Sequence, residues 1–339
     1  MKFIKGLPVV LVLLALTIPA YGGGKEAAVA KGSRLYVSNA GNSTISVIDL
    51  SKKEVAATIR TGVWPAGMAM DSGTGKLYVV NSNDGDSTVS VIDTASNSEL
   101  KKIKVGIGPM AIALDAASGT GFAADAEHIV DGKNLSNTLS VIDLKTDTVT
   151  GKIETGVGPF DLKIMDGKIF ASNSGDWTIA VVDVKSHKVL DKIKVVDTPL
   201  GVDVDQKKKK VYVAIHGKGK VSVIDASALK EIKNIDVGKS AWYIAVDSAN
   251  SRAYVTRRED NAVAVIDTNK DEKIADISVG KGPIGVAVDP AKKRLYVANH
   301  DDISVSVIDT ESNKVIDTIK MTLTPDSPYS GAPWGLLLN

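Results

Sequence analysis

The tripeptide Val/Ile-Ile/Val-Asp ends at Asp49, Asp93, Asp143, Asp183, Asp225, Asp267 and Asp309, seven copies at successive spacings of 44, 50, 40, 42, 42 and 42 residues. A period of this length belongs to architectures in which each unit buries its faces against its neighbours. It lifts the limit of roughly 250 to 300 residues on a single hydrophobic core, so a chain of 339 residues can fold as one domain.

Three other segments keep step with the tripeptide. One is a short aromatic-led strand, Leu35-Tyr36-Val37-Ser38-Asn39, echoed at Tyr78, Phe122, Phe170, Tyr212, Tyr254 and Tyr296. Another is a Gly-x-x-Pro turn running into a small-residue strand, as in Gly280 to Asp289, with a final version at Pro333 to Asn339. The last is an alternating strand such as Lys314 to Lys320. All are rich in Val, Ile and Tyr and bounded by Gly, Asn, Asp or Ser, so they read as strands joined by hairpins. Four strands in seven repeats predict an all-β, seven-bladed β-propeller of four-stranded antiparallel sheets.

Strand order follows from size. Seven strands crowd the axis, so the segment with Gly285 and Ala287, or Gly67 and Ala69, is expected innermost. The Tyr-Val strand comes second, the Val-Ile-Asp strand third and the polar strand at the rim. The chain opens its repeats with a second strand (residues 34–39) and ends on an inner strand (residues 334–339). Together they are expected to complete one blade and leave no unpaired terminal sheet. The propeller is thus assigned to residues 34–339.

Lys2 and Lys5 followed by the apolar run Leu7 to Ile18 and the small residues near Gly22 read as a secretory signal, too short to span a bilayer. Residues 1–22 are assigned to that signal and 23–33 to a flexible lead-in. The chain is expected to be exported, periplasmic or at the cell surface, with no transmembrane segment after cleavage. Cysteine is absent, so closure of the ring must replace disulfides. The formal charge of +1 falls to −1 when Lys2 and Lys5 are removed, which gives no net-charge footprint for nucleic acid or membrane.

The segments Tyr254-Val255-Thr256-Arg257 and Tyr296-Val297-Ala298-Asn299, with Pro-x-Gly-Val-Ala-Val-Asp ahead and Val-Ser-Val-Ile-Asp-Thr behind, resemble the YVTN-type β-propeller repeat family. The resemblance covers the whole mature chain and implies a propeller of periplasmic or surface-layer type. Related propellers include d1-haem domains, lactonases and lyases, and no catalytic signature common to the family carries over.

Candidate site residues gather on the face carrying the second-to-third-strand loops. Four places beyond the second-strand aromatic stand Ala40, Ser82, Ala126, Ser174, His216, Arg258 and His300, with Arg257 one residue before Arg258. A His-Arg-His row can bind an anion, ligate a metal or act as acid and base; otherwise these are solvated loop tips. Trp64, Trp242 and Trp334 flank the turn prolines or their equivalents and can stack on a flat ligand or plug the channel. The longest insertion, Ala126 to Asn137, contributes His128. The opposite face carries lysine-rich hairpins, Lys52-Lys53, Lys207 to Lys210 and Lys292-Lys293-Arg294, which could meet nucleic acid or an anionic polysaccharide.

No Ser-His-Asp order, zinc spacing, nucleotide loop or haem-attachment motif stands out. The sequence therefore leads to the expectation of a non-enzymatic binding or scaffold protein that recognises a protein or small ligand at the top funnel, without a cofactor. The alternatives are a propeller lactonase or lyase with a His/Arg site, metal-assisted or not, and a propeller carrying a d1-haem-like group.

Overall fold

The computed structural model describes residues 34–82, 85–126, 136–321 and 332–339. The signal and lead-in assigned to residues 1–33, and His128, lie outside them. Seven four-stranded antiparallel sheets ring a central channel, and the only helical element among the described residues is a 3-10 turn at Ala40–Asn42. Blade 1 pairs the last strand, Pro333–Leu338, with Arg34–Asn39, Thr44–Asp49 and Glu54–Arg60. The six other blades run in simple order from the inner strand outward, beginning at Pro65, Pro109, Pro159, Pro199, Ala241 and Pro283. Fold class, strand order and the shared first blade are as the repeat predicts.

The core lies between blades. Phe122, Leu139 and Val141 of blade 3, for example, pack on Leu162, Ile169 and Val182 of blade 4. Each rim strand adds one well-buried isoleucine at its penultimate position, as at Ile59, Ile103 and Ile319, and otherwise faces water.

Each residue of the aromatic-led strand has a physical task. The aromatic ring fills the space between blades. The inner strand carries a bulge near its start, which frees backbone groups from the ladder. In blades 1, 4 and 6 a hydroxyl two places after the aromatic takes them up: Ser172 Oγ accepts the Asp161 N–H at 3.1 Å and donates to the Leu200 carbonyl of the following blade at 2.6 Å. Thr256 Oγ1 does the same for Tyr243 and Ile284 at 3.0 and 2.7 Å. The closing asparagine then donates to third-strand hydroxyls, Asn81 to Thr88 and Ser90 at 2.9 Å and Asn299 to Ser304 and Ser306 at 3.0 and 2.9 Å.

The aspartate ending the third strand caps the following turn, as Asp143 Oδ1 does for the N–H groups of Lys145 and Thr146 at 2.9 and 2.8 Å. The lysine-rich hairpins on that face are laced with ion pairs, among them Lys209 to Asp166, Lys293 to Glu311 and Arg294 to Asp309.

Candidate active site

One backbone bond, repeated in every blade, fixes the top face. The residue after the second strand donates its N–H to the turn leading into the inner strand: His216 to Thr198, Arg258 to Ser240 and His300 to Gly282, at 2.9 to 3.1 Å. The two histidines also reach the inner strand of the neighbouring blade. His216 meets Trp242 of blade 6 edge-on at 5.4 Å, and His300 meets Trp334 of blade 1 edge-on at 5.8 Å.

The two indoles touch at 5.7 Å, Trp64 reaches Trp334 at 6.5 Å, and Phe160 reaches Trp242 at 6.3 Å. Together they form an aromatic floor across the channel mouth. Trp64 holds it at a backbone cost, because its φ is +57° where blades 3, 4 and 7 use Gly108, Gly158 and Gly282. A bulky residue in the left-handed region is strained by about 1 kcal/mol or more, and the fold spends that strain on placing an indole 40 % exposed at the funnel.

His300 has the stronger chemical credentials of the two imidazoles. Its Nδ1 sits 3.3 Å from the Pro333 carbonyl, an acceptor only, so the proton belongs on Nδ1 and Nε2 keeps its lone pair. Burial pushes its pKa below the ordinary histidine value, which keeps the ring neutral. Arg258 Nη2 pairs with Asp301 Oδ1 at 2.9 Å, while its Nε–H is buried without an acceptor, as is the Trp242 Nε1–H. An unpaired buried donor costs about 1–3 kcal/mol, so both groups gain from any rearrangement that brings an oxygen to them. Asp301 in turn lies against Gly282, where an added Cβ would meet its carboxylate at 2.3 Å.

The predicted row is divided by this geometry. His300 and Arg258 share the Asp301 neighbourhood, whereas His216 belongs to the Trp242 side, with Ser240 Oγ 3.5 Å from its Nδ1. Arg257 is turned away and is 7 % exposed. It occupies the asparagine slot of its blade, and its guanidinium binds Asp260 and Asp276 at 2.8 Å each. Among the described residues no three His, Asp or Glu side chains are grouped to hold a metal ion.

Sequence reasoning passed over a second polar group directly beneath the floor. A cavity of about 100 Å³ in the channel is lined by Asp161, Lys163, Tyr243 and Trp334 among glycines 67, 285 and 335. Asp161 Oδ2 accepts the Val202 N–H at 2.9 Å and Asp203 Oδ2 the Val246 N–H at 2.7 Å, each stitching one blade to the next. Lys163 Nζ lies 3.9 Å from Asp203 Oδ1. Burial raises the Asp161 pKa to about 6, against the pull of Lys163.

A family model described as "Lactonase, 7-bladed beta-propeller" matches residues 225–330. That stretch carries Trp242, Arg258, His300 and Asp301. No curated protein matches the chain. Among solved structures, hydrazine synthase of Kuenenia stuttgartiensis is similar at 21% identity, over 83% of this chain and 93% of that one, with a TM-score of 0.73. A putative 6-phosphogluconolactonase from Bacteroides fragilis is similar at 15% identity, over 93% and 99% of the two chains, with a TM-score of 0.71. The dihydro-heme d1 dehydrogenase NirN in complex with DHE is similar at 11% identity, over 93% and 77%, with a TM-score of 0.66. At these identities the likeness is one of fold.

The lactonase match contradicts the expectation of a non-enzymatic binding or scaffold protein. That expectation rested on the lack of a contiguous catalytic motif. A propeller assembles its mouth from single residues of several blades, so such a site leaves no motif in the chain.

Proposed function

We propose that this protein is a propeller lactonase that hydrolyses a cyclic ester at the top funnel. The observation that carries the reading is a neutral imidazole with a free Nε2 at His300, beside a guanidinium with an unpaired buried donor at Arg258, inside the stretch that the lactonase model matches. The ring of the substrate lies on the indoles of Trp334 and Trp242. His300 Nε2 takes a proton from water, and the hydroxide adds to the ester carbonyl. Arg258 stabilises the oxyanion of the tetrahedral intermediate. Collapse breaks the ring C–O bond, and the imidazolium returns its proton to the departing alkoxide, so one water is consumed and a hydroxy acid is released.

The repeats themselves we take to be of YVTN type, on the hydroxyl and asparagine roles of the aromatic-led strand, and an exported site of action goes with the leader-like terminus.

The test is hydrolysis of a panel of five- and six-membered lactones, sugar lactones included, followed by pH-stat titration. We expect His300→Gln to lower kcat/KM by about 10²-fold, within the range general-base removal produces, and His216→Ala to leave it within a factor of a few. Because burial lowers the His300 pKa, the acid limb of the rate profile should fall below the ordinary histidine value of 6.5. A wild-type protein inert to every lactone, or full activity in His300→Gln, overturns the reading.

A further inference from the structure

Tyr78, Phe122, Phe170 and Tyr212 each face one particular position of the next blade's outer turn, four residues after the turn-capping aspartate. That position is always left-handed: φ is +52° at Asp147, +53° at Asp271 and +59° at Lys53. The pairs differ from interface to interface. Phe122 meets His187 edge-on at 5.8 Å, and Phe170 packs with Leu229.

At two interfaces the pair is built around a carboxylate. Tyr78 donates its hydroxyl to Asp147 Oδ1 at 2.8 Å while Lys76 Nζ binds Oδ2 at 2.7 Å. Tyr212 and Lys210 hold Asp271 in the same manner at 2.7 and 2.5 Å.

The interface between blades 7 and 1 has the same receptor and lacks the carboxylate. Tyr296 stands in the tyrosine slot and Arg294 in the lysine slot, but Lys53 replaces the aspartate and swings out to Asp317 at 2.5 Å. Tyr296 is 3 % exposed, and among the described residues its hydroxyl has no partner. Arg294 bonds Asp309 and the Lys293 carbonyl through Nη1 only, at 2.6 and 2.9 Å. What remains is a cleft of about 400 Å³, with Lys53, Lys292 and Arg294 at its polar end and Leu50, Val307, Ile316 and Ile319 along its apolar wall. The acids nearest these cations, Asp317, Asp289 and Asp309, lie outside the lining.

We propose that this cleft binds an exogenous monocarboxylate with an apolar body, its carboxylate seated where Asp147 and Asp271 sit at the sister interfaces. Tyr296 donates one hydrogen bond, and Arg294 and Lys53 supply charge-assisted ones. The alkyl or aryl body covers the isoleucines. The volume falls within the usual range for small-ligand pockets. The cleft lies on the face opposite the candidate active site, so it stands or falls independently of lactone hydrolysis.

Octanoate is the probe, titrated calorimetrically into the full chain with octanol as the uncharged comparison. Saturable octanoate binding is expected, with octanol at least tenfold weaker. Lys53→Asp rebuilds the arrangement of Asp147 and Asp271 from within, so it should lose octanoate binding by tenfold or more while Tm rises by about 2–4 °C, as expected for about 1 kcal/mol gained in a large domain. Tyr296→Phe, which keeps the packing, should weaken binding about fivefold. Equal affinity for octanol, or wild-type octanoate affinity in both variants, would sink the proposal.

Discussion

Gly285→Ala is expected to destabilise the ring by about 2–4 kcal/mol, at or above the usual cost of overpacking a core. A Cβ at Gly285 would stand 2.2 Å from the Trp334 carbonyl oxygen and 3.3 Å from the Gly335 Cα, all backbone of the strand that closes the ring. The backbone angles of Gly285 are ordinary, so the penalty is steric. Gly67, Gly201 and Gly335 repeat the close approach, with backbone atoms of the next inner strand 2.6 to 2.8 Å from the added carbon. Gly151, on the rim strand Thr148–Glu154, has nothing within 4 Å. Gly151→Ala should be neutral or stabilising by a few tenths of a kcal/mol. Urea denaturation of the two variants makes the comparison, and equal midpoints would refute the crowding argument.

Asp125→Asn should stabilise the protein at pH 8 by about 1–3 kcal/mol and change little at pH 4. Asp125 holds the slot where blades 1, 2, 4 and 7 have Asn39, Asn81, Asn173 and Asn299. It is fully buried, accepting from Thr138 and Ser140 at 2.8 and 2.9 Å. Burial raises its pKa from 3.8 to about 6. The folded state therefore binds this proton more tightly than the unfolded one, and stability falls as pH rises from about 4 to about 6, with the whole cost present above that. Asparagine escapes the cost, since the hydroxyls of Thr138 and Ser140 can turn to accept its Nδ2–H groups as Thr88 and Ser90 do for Asn81. Thermal melts of both proteins from pH 4 to 8 should diverge through that window. A gap independent of pH would show that Asp125 is not the titrating group.

The repeat made the scaffold legible because every copy states the same physical requirement: small residues at the axis, one aromatic per blade interface, one capping aspartate per outer turn. What the repeat hid were its exceptions. Asp161 stands in the slot of Gly67 and Gly285, and Lys163 and Asp203 in that of Ala69 and Ala287. Read singly, each is one irregular copy; only the ring brings Asp161 and Lys163 of blade 4 to one cavity with Tyr243 of blade 6 and sets Asp203 of blade 5 beside Lys163. Arg257 illustrates the opposite case. Adjacency to Arg258 suggested a shared role, yet successive strand residues point to opposite sides. Its register with Asn81 and Asn299 was the available sign that it turns inward. His300 was visible as a loop histidine, but its tautomer and its lowered pKa depend on Pro333, which lies 33 positions further on.

The pairing of Pro333–Leu338 with Arg34–Asn39 also sets an order of events during biosynthesis. Blades 2 to 7 can each complete their hydrogen bonding as soon as their own residues have emerged, whereas the first blade must wait for Pro333–Leu338. Until then its Arg34–Asn39 edge is an open template for any passing extended chain. A nascent protein of this kind has most need of chaperone cover along Arg34–Asn39, until Pro333–Leu338 has emerged and paired with it.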